Sequence, residues 1–101
     1  MRYVYNKGDV VRCQYFMIKF APNEKRKTYR LAVVVSKKTN KSAVVRNRIR
    51  RRFYEAVRQL EPRMVNPYDI VITPFSSLTA DMESEELREN VANLLKKAKI
   101  I

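Results

Sequence analysis

Alternation of apolar and polar residues predicts two β-strands in the first third of the chain. The first runs over residues 10–20. Its core side carries Phe16, Ile18 and Phe20, and its second side carries Cys13, Tyr15, Met17 and Lys19. That second side is mixed in character, so we expect it to be open. Pro22 and Asn23 interrupt the pattern, which resumes over residues 29–36. The core side of this second strand carries Leu31, Val33 and Val35. We expect the two strands to pair antiparallel.

A change of period predicts a helix over residues 43–60. Apolar residues there recur at helical spacing and form one stripe, which consists of Val45, Ile49, Phe53, Ala56, Val57 and Leu60. Pro62 follows and cannot continue a helix, because it lacks the backbone N–H and its ring clashes with the preceding turn.

The last third of the chain predicts a strand and a second helix. Residues 68–73 read as a short buried strand that Pro74 closes. The helix after it is expected to be capped by Asp81 or Ser84, with acids in its first turns and lysines at its end, as the helix dipole favours. Its predicted buried face carries Leu87, Val91, Leu94, Leu95 and Ala98.

The order of these elements indicates an α+β fold. A short segment around residues 3–7 precedes strand, strand, helix, strand and helix, which suggests one sheet with helices packed on it. The 101 residues suffice for one modest core, and a single glycine and the lack of repeats leave no linker. We expect residues 1–101 to form a single domain.

Charge identifies the kind of partner. Twenty-two Lys and Arg against ten Asp and Glu leave a net charge of +12, which is more than solubility requires of so small a domain. Residues 37–58 alone hold nine basic residues against one acid, a local charge of +8. The chain therefore predicts a polyanionic partner.

The helix over 43–60 concentrates this charge on one side. Placed at about 100° per residue, the residues opposite the apolar stripe or beside it are Asn47, Arg48, Arg50, Arg51 and Arg58. Arg46 falls in the apolar sector but in the first turn, so its guanidinium is expected to reach past the core toward the sheet edge. A basic helix face is usually only a solvated surface. Five arginines within residues 46–52, with no acid among them, instead favour binding to nucleic acid phosphates, to which the helix N-terminus adds backbone donors.

Several functions are disfavoured by the residues that are missing. The chain has no histidine and a single cysteine, Cys13, so neither an internal disulfide nor a zinc site is expected, and a reducing, cytoplasmic location fits best. Residues 1–35 contain no apolar run near the roughly 20 residues of a bilayer span, so we expect an unprocessed protein without a membrane partner. The acids Asp81, Glu83, Glu85, Glu86 and Glu89 are explained by the start of a helix. No side chains for nuclease chemistry remain.

Other binding functions stay open from composition alone. A structural RNA-binding protein of the ribosomal type would share the fold class and charge. A double-stranded DNA binder is less favoured, because the basic helix is flanked by strands rather than by a second helix. A membrane-surface helix is also less favoured, because the apolar stripe is better used in a core.

One segment resembles a known family. Residues 31–58, LAVVVSKKTNKSAVVRNRIRRRFYEAVR, are similar to the signature segment of bacterial ribonuclease P proteins, with SKK at 36–38 and AVVRNRIRR at 43–51 as the core of the match. The resemblance implies an α-β sandwich with a four-stranded mixed sheet and a left-handed βαβ crossover. It also implies an RNA-binding subunit that acts one-to-one with a catalytic RNA, which removes the 5′ leader from precursor tRNA. No cofactor is expected on the protein alone, and Mg²⁺ is expected in the holoenzyme.

The resemblance also assigns residues. Positions that match the family's RNA-binding motifs are Lys37, Lys38, Arg46, Asn47, Arg48, Arg50 and Arg51. The leader cleft implied by the family would be lined by Tyr5, Tyr15, Met17 and Lys19. The chain departs from the pattern in its loop 39–42, which is longer and lacks the usual glycine, and there Lys41 could compensate as a phosphate contact. It also begins late, at Met1, so the first helix is expected to be short.

Overall fold

The computed structural model describes residues 8–23, 25, 27–64 and 66–101. Its elements are β1 (Asp9–Arg12), β2 (Phe16–Pro22), β3 (Arg30–Val33), α1 (Ala43–Leu60), β4 (Tyr68–Pro74) and α2 (Ser84–Lys97). Short 3-10 helices, Glu61–Arg63 and Ser77–Ala80, follow α1 and β4. The segment predicted around residues 3–7, and with it Tyr5, lies outside the described residues.

The four strands form one mixed sheet in the order β1-β2-β4-β3. β2 pairs antiparallel with β4, and β3 pairs parallel with β4, so α1 is the crossover between β3 and β4. The predicted pairing of the second strand with the strand before it is therefore wrong, because β4 lies between them. β4 takes the centre because its apolar residues are buried on both faces: Ile70 and Ile72 on one, Val71 on the other. The left-handed sense of the crossover stays a prediction from the resemblance.

The predicted strand over residues 10–20 is a hairpin instead. β1 and β2 pair antiparallel, with Arg12 opposite Met17, and the Cys13 N–H donates to the Phe16 carbonyl at 3.0 Å to close the turn. The turn contains no glycine, proline, asparagine or aspartate, so it gives no sequence signal. Tyr15 lies in this turn and packs against the main core, so its predicted place on the second side of the strand is wrong.

The core lies between one face of the sheet and the two helices. Phe16 and Ile18 are fully buried, as their side of the pattern predicts, together with Ile49, Phe53 and Val57 from α1. The Phe16 and Phe53 rings meet edge to face, with centroids 4.9 Å apart. The bounds of α1 agree with the sequence, and its predicted apolar stripe is buried except at Val45, which is only partly covered.

The N-terminal end of α2 is set differently from expectation, while the predicted lysines Lys96 and Lys97 lie in its last turn. Its N-cap is Glu83, whose side chain makes no capping hydrogen bond, so the prediction of Asp81 or Ser84 is wrong. Asp81 is the C-cap of the preceding 3-10 helix, where its N–H donates to the Leu78 carbonyl. At the other end Lys99 adopts a left-handed backbone with φ of 62°. Its N–H donates to Lys96 and that of Ile100 donates to Leu95, which is a Schellman motif. No helix in the described ranges is both long and apolar enough to cross a bilayer.

Candidate nucleic-acid interface

The arginine face of α1 consists of Asn47, Arg48, Arg50, Arg51 and Arg58. These side chains point away from the core, and all are exposed except Arg50, which is partly covered. Arg50 donates to the Asn47 side-chain oxygen. No acid occurs between Ala43 and Tyr54, so the first three turns of α1 present cations that are not neutralised within the helix.

Two arginines of this face contact acidic residues. The contact of Arg48 is weak, and that of Arg58 lies near the C-terminal end of α1. Arg48 lies 3.4 Å from the Asp81 carboxylate, but that carboxylate is 81% exposed, and an ion pair in water contributes little. Arg58 donates to both Glu55 oxygens, at 3.0 and 2.7 Å. These hydrogen bonds, followed by one from Gln59, lower the pKa of Glu55 below its ordinary value. The unneutralised charge therefore centres on the first half of α1.

Arg46 has a structural task as well as a charge. Its Nη1 donates to the carbonyls of Asn40 at 3.0 Å and Lys41 at 2.9 Å, so its guanidinium turns back onto the loop between β3 and α1. This clamp fixes Lys41 beside the first turn of the helix. Arg46 is therefore not an unpaired surface arginine.

The same loop is ordered without the glycine that the family pattern has. The Asn40 Oδ1 accepts from the Ser42 N–H at 2.9 Å, and the Ser42 Oγ caps α1 by accepting from the Val45 N–H at 3.3 Å. The Thr39 hydroxyl donates to the Pro74 carbonyl at 3.1 Å and ties the loop to the end of β4. Side-chain hydrogen bonds thus hold the sharp turn from strand to helix.

The predicted lysines border this loop. Lys37 and Lys38 are exposed in the turn after β3, and Lys41 is exposed just before α1. The structure therefore gathers Lys37, Lys38 and Lys41 at the end of the molecule where α1 begins. The backbone N–H groups of the first helical turn point to the same place.

Sequence reasoning missed a groove between the helices. It has a volume of about 570 Å³, with Ala56 and Leu87 as apolar lining and Arg48, Arg51, Arg52 and Arg88 as cations. Arg52 donates to the Met82 carbonyl, and Arg88 donates to the Gln59 Oε1 at 2.9 Å. The sequence pattern did not indicate Arg88 as a site residue, because it is a single basic residue among the acidic residues of α2.

The second sheet face is the side of the sheet turned away from the helices. It carries Val10, Arg12, Met17, Lys19, Ala21, Arg30, Ala32, Asp69, Val71 and Thr73. Its centre is closed, because Ala21 and Val71 are buried and pack with Ala32. Met17 and Lys19 are half-buried, and Arg12 and Val10 on the edge strand are exposed. The expectation of an open face therefore holds only toward β1.

An arginine and an aromatic ring that the sequence did not single out meet at this edge. The Arg12 guanidinium carbon lies 5.6 Å from the centroid of the Phe75 ring, and that ring is 40% exposed. The Phe75 N–H donates to the Tyr15 carbonyl at 3.0 Å. The sequence pattern did not single out Arg12, because the hairpin was not predicted and only the pairing of β1 with β2 places Arg12 beside Met17.

The acidic residues near α2 have structural roles. Asp81 faces Arg48, Glu83 is the N-cap of α2, and Glu85 and Glu86 lie in its first turn, where the helix dipole favours negative charge. Within the described ranges, no group of three or more Cys, Asp or Glu side chains is arranged to hold a metal ion.

The fold and the basic surface together define the class as an α+β RNA-binding protein. Similarity to known proteins identifies the family. The Ribonuclease P family profile matches residues 1–99. A ribonuclease P protein component of Pseudanabaena sp. is 35% identical over 98 residues, which cover 97% of this chain and 84% of the relative. A Staphylococcus aureus RNase P protein mutant with defective mRNA degradation activity superposes with a TM-score of 0.84 at 27% identity, covering 99% of this chain and 82% of that one. The RNase P protein of Thermotoga maritima superposes with a TM-score of 0.83 at 27% identity, covering 95% and 88%.

The chain belongs to the ribonuclease P protein family. It is the RNA-binding protein component of that ribonucleoprotein enzyme, and the ribosomal alternative is not favoured. The resemblance seen in residues 31–58 and the α+β fold class are thereby confirmed.

Proposed function

We propose that this subunit holds the catalytic RNA on the arginine face of α1 and the 5′ leader of precursor tRNA on the second sheet face. The observation that carries the first part is the run of α1 from Ala43 to Tyr54, where exposed arginines have no acid among them. Such a surface gains most from a partner that supplies phosphates.

The contacts of the individual side chains indicate that some arginines bind phosphates and that Arg46 holds the loop. The Arg51 side chain makes no hydrogen bond or ion pair among the described residues, and the Arg48 side chain has only an exposed ion pair, so both can turn toward phosphates. Arg46 holds the loop, and through it Lys41. The guanidinium fork of Arg48 and Arg51 suits bidentate pairing with phosphate oxygens.

The second sheet face supports the leader assignment. Met17 and Lys19 lie beside Arg12 on the part of this face that is not closed, and Phe75 adds an exposed ring. Cations there can meet the leader phosphates, while the thioether and the ring contact bases without reading a sequence. Because α1 packs on the opposite face of the sheet, the two RNAs can bind at the same time.

We assign the hydrolysis to the RNA. The chain has no histidine, and the acids beside α2 are used at a helix start and an ion pair. The described residues do not fit a metal site, so the Mg²⁺ expected in the holoenzyme would be ligated by RNA. The isolated protein should therefore not cleave precursor tRNA, and adding one equivalent of a bacterial ribonuclease P RNA should give cleavage at the mature 5′ end.

A double variant in α1 and a control variant outside it test the α1 surface. Replacing both Arg48 and Arg51 with Ala should weaken binding to ribonuclease P RNA about tenfold or more at physiological salt. It should also reduce the slope of log affinity against log salt by roughly one unit per lost phosphate contact. Arg63→Ala removes an exposed cation outside α1 and is the control. If the double variant binds as tightly as Arg63→Ala, α1 does not hold the RNA.

Substrates with and without a leader test the second sheet face. A Met17→Ala, Arg12→Gln variant in the holoenzyme should bind precursor tRNA more weakly, by several-fold, while its affinity for mature tRNA stays unchanged. Mature tRNA has no leader and loses no contact. Equal losses for both tRNAs would show that the leader lies elsewhere.

A further inference from the structure

An exposed aromatic side chain, Tyr54, lies beside the arginine face of α1. Tyr54 is 42% exposed and follows Arg51 by three residues and Asn47 by seven, so the three lie on one solvent-facing stripe. With Val44 and Arg50 they line an open depression of about 550 Å³. The proposed arginine contacts leave Tyr54 unexplained.

The folded chain gives Tyr54 no structural task. In the part of the chain that the structure describes, its hydroxyl makes no hydrogen bond and its ring meets no other aromatic ring. Helix propensity does not explain it either, since Ala, Lys or Arg would each suit a solvent-exposed helix position better than Tyr. A tyrosine here leaves 42% of its surface in solvent.

Its surroundings indicate what the ring contacts. Arg50 and Arg51 stand one turn before it, and the next acid, Glu55, is engaged by Arg58 at 2.7 Å. Only Val44 and Tyr54 are apolar in this depression, which is too little for a hydrophobic protein partner. A neutral ring among cations suits unpaired RNA, because arginines neutralise phosphates while the ring stacks on a base.

We propose that Tyr54 stacks on an unpaired base of the catalytic RNA, with Arg50 and Arg51 on the neighbouring phosphates. The proposal rests on the proposed function, in which α1 binds that RNA. The leader does not fit this site, because a strand on the second sheet face is separated from Tyr54 by the sheet and by α1 itself.

The variants Tyr54→Leu and Tyr54→Phe separate stacking from apolar contact. In titrations with ribonuclease P RNA, Tyr54→Leu should bind about tenfold more weakly, or about 1.4 kcal/mol, and Tyr54→Phe should bind like the wild type. The salt slope should be unchanged in Tyr54→Leu, because no phosphate contact is lost, whereas Arg51→Ala should reduce it by roughly one unit. Leu78→Ala, which shortens an exposed apolar side chain outside α1, should leave the affinity unchanged.

Chemical probing of the RNA gives an independent readout. A small set of unpaired nucleotides should be protected by the wild type and by Tyr54→Phe, and become reactive with Tyr54→Leu at saturating protein. If Tyr54→Leu binds within twofold of the wild type, or if Leu78→Ala loses as much affinity, the stacking proposal is wrong while the role of α1 stands. If the wild-type protein fails to bind the RNA, the proposed function fails and the stacking proposal with it.

Discussion

Removing the charge of Asp69 should destabilise the fold more than any other single loss of charge on the second sheet face. Asp69 is 3% exposed in the middle of the sheet. Its carboxylate accepts from Arg30 Nε at 2.8 Å and Nη2 at 2.7 Å, and from Asn23 Nδ2 at 3.0 and 3.2 Å. It therefore joins β4 to the start of β3 and to the end of β2.

The size of this loss in stability follows from how far Asp69 and Arg30 are each buried. Breaking a fully buried ion pair costs about 3–5 kcal/mol, and a hydrogen bond to a charged group contributes about 1.5–3 kcal/mol. The Arg30 side chain keeps 41% of its exposure, so water can solvate the guanidinium once the carboxylate is gone. We therefore expect Asp69→Asn to lower the free energy of unfolding by about 2–4 kcal/mol.

Urea unfolding followed by circular dichroism measures this loss, provided that the dependence on urea concentration is unchanged. Asp81→Asn is the matched control: the same substitution at an exposed carboxylate should change stability by less than about 0.5 kcal/mol. Folded Asp69→Asn protein should still bind ribonuclease P RNA normally, because α1 lies on the other side of the sheet. Equal stability of the two variants would refute the view that this buried carboxylate joins the three strands.

Three further predictions concern the core, a helix end and pH. Phe16→Ala should cost about 3–5 kcal/mol of stability through the cavity it leaves, whereas Met17→Ala on the second sheet face should cost under about 1 kcal/mol; similar losses in urea unfolding would contradict the assignment of faces. Lys99→Gly should raise stability by about 1 kcal/mol in the same assay, because glycine adopts the left-handed backbone without strain, and no gain would mean that this backbone is not strained. Burial, followed by the nearby Glu61 charge, raises the pKa of Tyr29 above its ordinary value of 10.0. The folded state therefore keeps this proton longer than the unfolded state, and stability should fall as pH rises above about 10. The stability of the Tyr29→Phe variant should fall less steeply in this pH range. Identical stability profiles of the variant and the wild type would contradict the raised pKa of Tyr29.

The family could be recognised from the sequence because its evidence is local. The arginines of residues 46–52 and the apolar stripe of α1 are both readable along a single helix, where spacing alone decides which residues share a side. The bounds of α1 and the core side chains Phe16 and Ile18 were predictable for the same reason. Whether each predicted site residue contacts RNA stays a prediction, and Tyr5 lies outside the described residues.

The errors arose where the chain turns back on itself. The turn over 13–15 has no glycine or proline, so one long strand was predicted in place of a hairpin, and Tyr15 and Arg12 were misplaced or missed. The cap of α2 was misassigned because the 3-10 turn before it had already used Asp81. Loop 39–42 lacks its glycine, yet Arg46, Asn40 and Ser42 supply the hydrogen bonds that hold the turn.

The sequence alone determined the two helices, the basic helix face and the family, because periodicity and charge patterns relate residues that are near one another in the chain. Only the tertiary structure decided that β4 lies between β2 and β3, that Asp69 joins those strands, and that Arg46 is committed to a loop while Arg51 has no partner among the described residues. These outcomes depend on contacts between residues that are far apart in sequence, such as Asn23 and Asp69, which are 46 positions apart. Strand order and partner choice are settled by which arrangement buries the most apolar surface and satisfies the most polar groups, and that comparison exists only once the whole chain is folded.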